Sequence, residues 1–356
     1  MSRDGPRVAG VDPGTVSFDV CGLDDGEVFL ERSFRTADVG ADPAPLVEAL
    51  VEHGPFDLVL GPAGYGLPLV PVQEVGDGEL TRMLLLRADE PHGPVGVGGM
   101  RSIVSALIAA GLPLVFGPGA IHLLTIPAYR KWNRIDLGTA DKVASAALCI
   151  ADQAQRLHIE VAETSFVMLE VGGGFSAALA VDGGRIVDGL GGSAGPIGAR
   201  ACGALDAEVA YLLGAALSKR TVFSGGALDP RGELDLSEGL DALRRDPRHR
   251  EGWLALEEGA AKAALALTVS APAPREVLLT GRLAQALLDA LVDRLAGVAP
   301  VRMVSGVAAA RGAALLADGL AGGRHAQLVE RLGLRGASGS ALDHLRVDGA
   351  DRIRLR

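Results

Sequence analysis

Aromatic residues are scarce: Phe, Trp and Tyr make up 4% of the 356 residues. A core must therefore be filled mostly by Leu, Val, Ala and Ile, packed closely. Cysteine is nearly absent too. Cys21, Cys149 and Cys202 are scattered with no CxxC pair, which excludes a zinc or iron–sulfur framework and fits a reducing cytoplasm. Basic charge is in deficit, with 34 Lys+Arg against 44 Asp+Glu and a net charge of −10. Phosphate backbones are bound by basic surfaces, so no nucleic acid partner is expected, although a few local cations suffice for a small anionic substrate. Long apolar runs are missing. The best, Ile103 to Phe116, is broken by Gly111 and Pro113 and reads as a buried helix followed by a strand. The opening MSRDGPRVAG lacks the apolar stretch of a signal peptide, so the expectation is a cytoplasmic protein with no membrane partner.

What is plentiful is glycine, with 49 residues, in a chain that is 48% hydrophobic and 22% charged. That is ordinary globular composition, and the length suggests about two domains. An internal repeat supports the same number. Arg7–Cys21 reads as strand, Gly turn, strand, followed by a turn at Asp24-Asp25-Gly26 and a strand at Glu27–Arg32. Phe166–Val181 reads the same way, with a turn at Asp182-Gly183-Gly184 and a strand from Arg185. The two meanders lie 158 residues apart, each with an acidic residue, Asp12 or Glu170, at its first turn. Alternating helices and strands follow each, including expected helices at 205–217, 257–269 and 307–320. Asp141–Arg156 reads as an inter-domain helix. The expected division is 1–158, 159–322, and a solvated tail at 323–356; Asp229–Gly252 reads as a surface excursion.

Three Gly-bearing turns carry the chemistry. Asp12-Pro13-Gly14-Thr15 follows an apolar strand, so its backbone N–H groups and hydroxyl can approach phosphate oxygens while the carboxylate holds a hydrated Mg²⁺. Glu170-Val171-Gly172-Gly173-Gly174-Phe175-Ser176 places three successive glycines after a strand, a costly choice that suits a backbone approached closely by a ligand. Thr280-Gly281-Arg282 runs from a strand into a helix start, and Ser224-Gly225-Gly226 is a further Gly loop.

In this order the motifs resemble the actin-like ATPase superfamily, which includes sugar kinases, heat-shock chaperone ATPases and acetate kinase. That resemblance implies an α/β fold of two duplicated actin-like (ribonuclease H-like) domains around a nucleotide cleft. The stretch Leu169 to Asp206 and the segment Thr125–Ala147 are similar to the acetate and butyrate kinase branch. Gly64-Tyr65-Gly66-Leu67-Pro68 and Gly138-Thr139-Ala140-Asp141-Lys142 are most similar to a family described as predicted butyrate kinases, a resemblance running from Val8 to about Asp318. It implies two phosphate loops, an adenosine loop, ATP and Mg²⁺, with the metal near Asp12 and Glu170. It places at Arg200 the arginine that clamps the transferring phosphoryl group. It also implies closure about a hinge near Ile135–Asp141 and, since relatives in the branch are often dimers, a homodimer. The chain departs from the acyl kinases at Gly117, where they carry an Asp, and at Glu170, where acetate kinase has a His.

An acceptor hydroxyl needs a base, whereas a carboxylate acceptor is already an anion that needs its charge screened. Loss of the Asp at Gly117 thus favours a small carboxylic acid, with Asp141 as a base from the other side and Lys142, Arg101 and Arg130 as acceptor-side cations to weigh. A hydroxyl acceptor, hydrolysis at Glu170, and an inactive ATP-binding regulator stay open. His122, Trp132 and Trp253 read as packing residues.

Overall fold

A computed structural model describes residues 5–14, 16–61, 64–87, 97–231 and 240–355. Both expected meanders form. β1 (Arg7–Pro13), β2 (Ser17–Asp24) and β3 (Glu27–Arg35) pair antiparallel. β4 (Leu58–Gly61) joins β1 in parallel; β5 (Gly66–Pro71) and β6 (Leu114–Pro118) complete a sheet of order β3-β2-β1-β4-β6-β5. The second sheet repeats the plan: β7 (Ser165–Val171), β8 (Ser176–Asp182) and β9 (Arg185–Leu190) pair antiparallel, with β10 (Glu276–Thr280) and β11 (Val301–Met303) added in parallel beside β7. The meander turns match as well. Asp25 and Gly26 have φ of 47° and 72°, and Gly183 and Gly184 have 58° and 70°, the paired left-handed backbone of a tight hairpin.

Two helices fill the space between the sheets. The linking helix Ala140–Leu157 and the closing helix Ala308–Leu320 bury Ala144, Ala147, Ala310, Ala313 and Ala314 among Val8 and Leu23 of one sheet and Phe166, Met168 and Leu179 of the other. Small side chains allow this close packing where aromatics are few. Along β7, Phe166 and Met168 face this central layer, while Val167, Leu169 and Val171 face an outer core with Trp253, Leu256 and Leu287. Burial on both faces explains the unbroken apolar run of β7.

The structure corrects five expectations. The tail is no solvated appendage: Ala326–Leu332 is a helix, and Leu328, Val329, Leu332 and Leu334 are buried in the central core. Its lost periodicity reflects a single short helix followed by irregular chain. The expected helix at 205–217 stops at Leu213, where Gly214 takes φ 48°. The helix expected from Glu257 begins at Arg250, because buried Trp253 anchors its first turn and donates from Nε1 to Leu243 O at 3.2 Å. The 229–252 segment is thus only partly an excursion, residues 232–239 lying outside the described part. Trp132 is exposed rather than packed, with the Arg346 guanidinium 3.5 Å above its ring.

Candidate active site

Asp12 stands near the C-terminal end of β1 in the first sheet, and Glu170 and Thr280 stand at or near the C-terminal ends of the parallel pair β7 and β10 in the second. Open α/β sheets present ligands at that edge. Glu170 and Thr280 are direct neighbours across the β7–β10 ladder. The 172–175 loop is a tight hairpin in which Gly172 N donates to Phe175 O at 2.9 Å. A Cβ on Gly173 would lie 3.2 Å from Val16 Cγ2 of the β1–β2 turn and 3.5 Å from Arg282 Cδ. Gly173 therefore brings all three loops together: the turn after Asp12, the triple-glycine hairpin, and the turn after β10. Gly281 has φ +95°, and a Cβ there would meet Val171 O at 2.5 Å, so glycine is required.

The N-terminus of the linking helix completes the site. Lys142 Nζ donates to Asp141 Oδ2 and to Glu170 Oε1, both at 2.5 Å. Thr139 Oγ1 donates to Asp141 Oδ1 at 2.5 Å. Burial alone would depress the Lys142 ammonium, but the Asp141 and Glu170 carboxylates reverse that and hold it above its ordinary value. Burial likewise acts to raise Asp141, and Lys142 with Thr139 more than offsets it, so this carboxyl sits low. Asp12 is different. Burial raises its carboxyl well above the usual range, and Asp141 adds repulsion that Lys142 only partly relieves.

Four buried oxygens here have no hydrogen-bond partner among the described residues: Asp12 Oδ1, Glu170 Oε2, Ser176 Oγ and Thr280 Oγ1. Buried polar atoms are ordinarily satisfied, so four orphans at the ends of β1, β7, β8 and β10 mark a place for polar ligand atoms. The same orphans fit a Mg-nucleotide. No cluster of three or more His, Cys, Asp or Glu able to hold a metal occurs among the described residues. Mg²⁺ does not require one, since it is commonly held by one or two carboxylates together with phosphates and water.

The remaining expected residues divide. Gly14 O accepts from Thr36 Oγ1 at 2.7 Å, fixing the first turn, while Thr15 lies outside the described residues. Gly174 O accepts from the backbone N of Arg200 and Ala201, both at 3.1 Å, so the arginine-bearing loop leans on the hairpin. Arg200 Nε lies 3.2 Å from Asp229 Oδ2, and Asp229 is 3% exposed. Gly225 and Gly226 back this loop: Gly226 N donates to Arg200 O at 2.8 Å. Arg101 pairs with exposed Asp77 at 2.8 Å, and Arg130 donates to Val187 O at 2.7 Å, so each guanidinium has a partner of its own. His122 is packed, and burial pushes its imidazole down to about 4. Gly117 lies in β6, and a Cβ there would sit 3.4 Å from Leu60 Cδ1, an ordinary contact. Space therefore does not forbid an acid at this position.

Asp136 is a site residue the motifs missed. It is 3% exposed; Oδ1 accepts from Gly138 N at 3.0 Å and Oδ2 from Ser193 N and Oγ at 2.9 and 3.0 Å. It ties the segment before Lys142 to the loop before Arg200. Its local signal is the Asp-x-Gly spacing of a side-chain-capped turn.

Two meander-led sheets, a helix pair between them and a carboxylate-rich edge define the two-domain actin-like ATPase fold. Solved structures agree in fold. A propionate kinase from Francisella tularensis superposes with TM-score 0.62 at 13% identity, over 86% of this chain and 98% of that one. Acetate kinases from Porphyromonas gingivalis (TM-score 0.59, 13% identity, 86% and 98% covered) and Entamoeba histolytica (0.56, 12%, 82% and 87%) are similar. No protein of curated function matches the sequence. Residues 10–347 match the family described as "Protein of unknown function (DUF1464)", and the chain belongs to that family. No helix among the described residues is long and apolar enough to cross a membrane.

Proposed function

We propose that the protein is an ATP-dependent phosphotransferase whose acceptor is a small carboxylic acid, giving an acyl phosphate. The observation that carries the reading is the set of four orphaned buried oxygens, Asp12 Oδ1, Glu170 Oε2, Ser176 Oγ and Thr280 Oγ1, gathered where three Gly-bearing turns meet. Asp12 and Glu170 would hold Mg²⁺, and Gly172, Gly173 and Gly174 with Ser176 would face the phosphates. Thr280, Gly281 and Arg282 would border the nucleoside. Bound Mg²⁺ supplies positive charge to the phosphate oxygens.

The chain's own residues do the positioning that phosphoryl transfer requires. Arg200, steered by Asp229 and by its backbone bonds to Gly174, would clamp the transferring group. Lys142 fixes Glu170 from the opposite side and lowers the negative charge of the site. The acceptor class follows from what the site does with its acids. Asp141 is engaged by Lys142 and Thr139 and held low, a poor base for a hydroxyl. Gly117 supplies none. A carboxylate needs no base, and the three solved structures compared above carry the names acetate and propionate kinase.

The test is hydroxylamine trapping with MgATP and a panel of carboxylic acids, quantifying hydroxamate and ADP together. Acid-dependent hydroxamate that disappears in Arg200→Ala is expected. ADP without hydroxamate would replace this reading with hydrolysis or a hydroxyl acceptor. Nucleotide binding with neither product would make the protein an ATP-binding regulator.

A further inference from the structure

Glu170 is divided between two tasks. Its Oε1 accepts from Lys142 Nζ at 2.5 Å, while its Oε2 is buried and has no hydrogen-bond partner among the described residues. Lys142 Nζ also donates to Asp141 Oδ2 at 2.5 Å, so one ammonium joins carboxylates from two different elements, the linking helix and β7. We propose that the Lys142 ammonium is a built-in cation that holds the place of a second divalent ion, leaving room for a single exchangeable metal at Asp12 and Glu170 Oε2. That the exchangeable metal is the nucleotide's Mg²⁺ rests on the phosphotransferase reading above; the role of Lys142 does not.

Placement is the first argument. Lys142 lies in the first turn of the linking helix, Ala140–Leu157. A helix N-terminus disfavours a cation, and so does burial, yet this side chain is only 12% exposed. The two carboxylates overcome both penalties. Asp141 is itself fixed for the task, since Thr139 Oγ1 donates to its Oδ1 at 2.5 Å and leaves Oδ2 to the ammonium.

Distance is the second. Hard divalent ions hold carboxylate oxygens at about 2.0–2.6 Å. Nζ stands 2.5 Å from one oxygen of each acid, so a metal ion could take its place with little movement of either carboxylate.

The sharing of Glu170 is the third. Two-metal sites clamp reacting oxygens between a pair of neighbouring cations. Glu170 gives one oxygen to the ammonium and keeps the other, Oε2, for a second cation, and Asp12 Oδ1 is the other orphaned carboxylate oxygen of this site. With Asp141 engaged by Lys142 and Thr139, two carboxylates remain for a metal, a number with which Mg²⁺ is commonly held. The arrangement is that of a two-cation site with one of its cations built into the chain.

The experiment counts bound Mn²⁺ by electron paramagnetic resonance on the nucleotide-free full chain. It compares the parent, Lys142→Ala, and Lys142→Ala combined with Asp141→Asn. Lys142→Ala vacates the place of the ammonium and should bind one Mn²⁺ per chain more than the parent does. Adding Asp141→Asn should abolish that extra ion, because it removes one of its two carboxylates. Thermal midpoints in EDTA and in Mn²⁺ give a second readout. Lys142→Ala should melt below the parent in EDTA and recover most of the difference in Mn²⁺; for a variant unfolded in EDTA, folding on addition of Mn²⁺ is the same result. An equal Mn²⁺ count in the parent and a folded Lys142→Ala, or a variant that stays unfolded in Mn²⁺, would overturn the proposal and leave Lys142 a structural ion pair. An extra ion that survives Asp141→Asn would overturn its placement between Asp141 and Glu170. No nucleotide or acceptor enters these measurements, so a failure of the phosphotransferase reading, seen as absent hydroxamate and ADP, is separate from a failure here.

Discussion

Gly312 of the closing helix lies directly on the backbone of Ala144 in the linking helix: a Cβ on Gly312 would stand 1.8 Å from Ala144 O. The same helix presses on β1 at Gly10, where a Cβ would meet Ala310 O at 2.3 Å. These two glycines set the spacing between the first sheet and the helix that carries Asp141 and Lys142. Gly312→Ala should force the helices apart and cost about 1–3 kcal/mol, as overpacking of a close-packed interior does. Urea denaturation would measure it. Unchanged stability would mean that the two helices are not held at this crossing.

That crossing also shows what the sequence could reveal. The meanders were legible because the alternation, the Gly turns and the matched acidic tips are local. Asp12, Glu170 and the Gly173 hairpin were found for the same reason. Lys142 could be singled out, but not its bond to Glu170, which joins residues 28 positions apart in different elements. Nor was the tail legible. Leu328, Val329 and Leu332 occupy only two turns, too few to establish a period, and their burial depends on a core built from both sheets. β5 has no local strand signal, because Pro68 and Pro71 interrupt it, yet proline is tolerated in this edge strand.

Lys142 is bonded to two carboxylates and is mostly buried, its side chain 12% exposed. Lys142→Met would leave Asp141 and Glu170 close together without their cation. Breaking such a pair by removing one partner costs about 3–5 kcal/mol. Lys142→Arg should recover most of that stability, because it restores the charge. Turnover should fall by about a hundredfold in the Met variant, if Lys142 lowers the negative charge around the phosphoryl group. A Met variant as stable as the parent would show that the pair contributes nothing to folding.

His122 gives the pH dependence a definite sign. Its imidazole, bonded through Nδ1 to Gly119 O at 3.3 Å, is pushed down to about 4 by burial. Between that value and about 6.5 the unfolded chain binds a proton that the folded protein does not. Stability contributed by the neutral ring is therefore complete above about 6.5 and lost as pH falls toward 4. The loss is on the order of 3 kcal/mol. His122→Gln should flatten the denaturation midpoint between pH 6.5 and 4. A variant with the parent's slope there would remove His122 as the source.

Asp12 combines an unsatisfied buried oxygen with three acidic neighbours, Asp141, Glu170 and Asp19. Nucleotide-free protein bears the cost of gathering these groups, and a bound cation would relieve it. Asp12→Asn removes the ionisable acid at nearly constant shape, so it should raise the thermal midpoint of the nucleotide-free protein. It should also weaken MgADP binding and lower turnover by about 10²–10³, the scale for losing one electrostatic contact in a transition state. The two effects have opposite signs and come from the same atom. Thermal shift with and without MgADP separates them: the parent should gain more from MgADP than the variant does. A variant that is less stable than the parent alone, yet gains as much from MgADP, would move the metal and the phosphates away from Asp12.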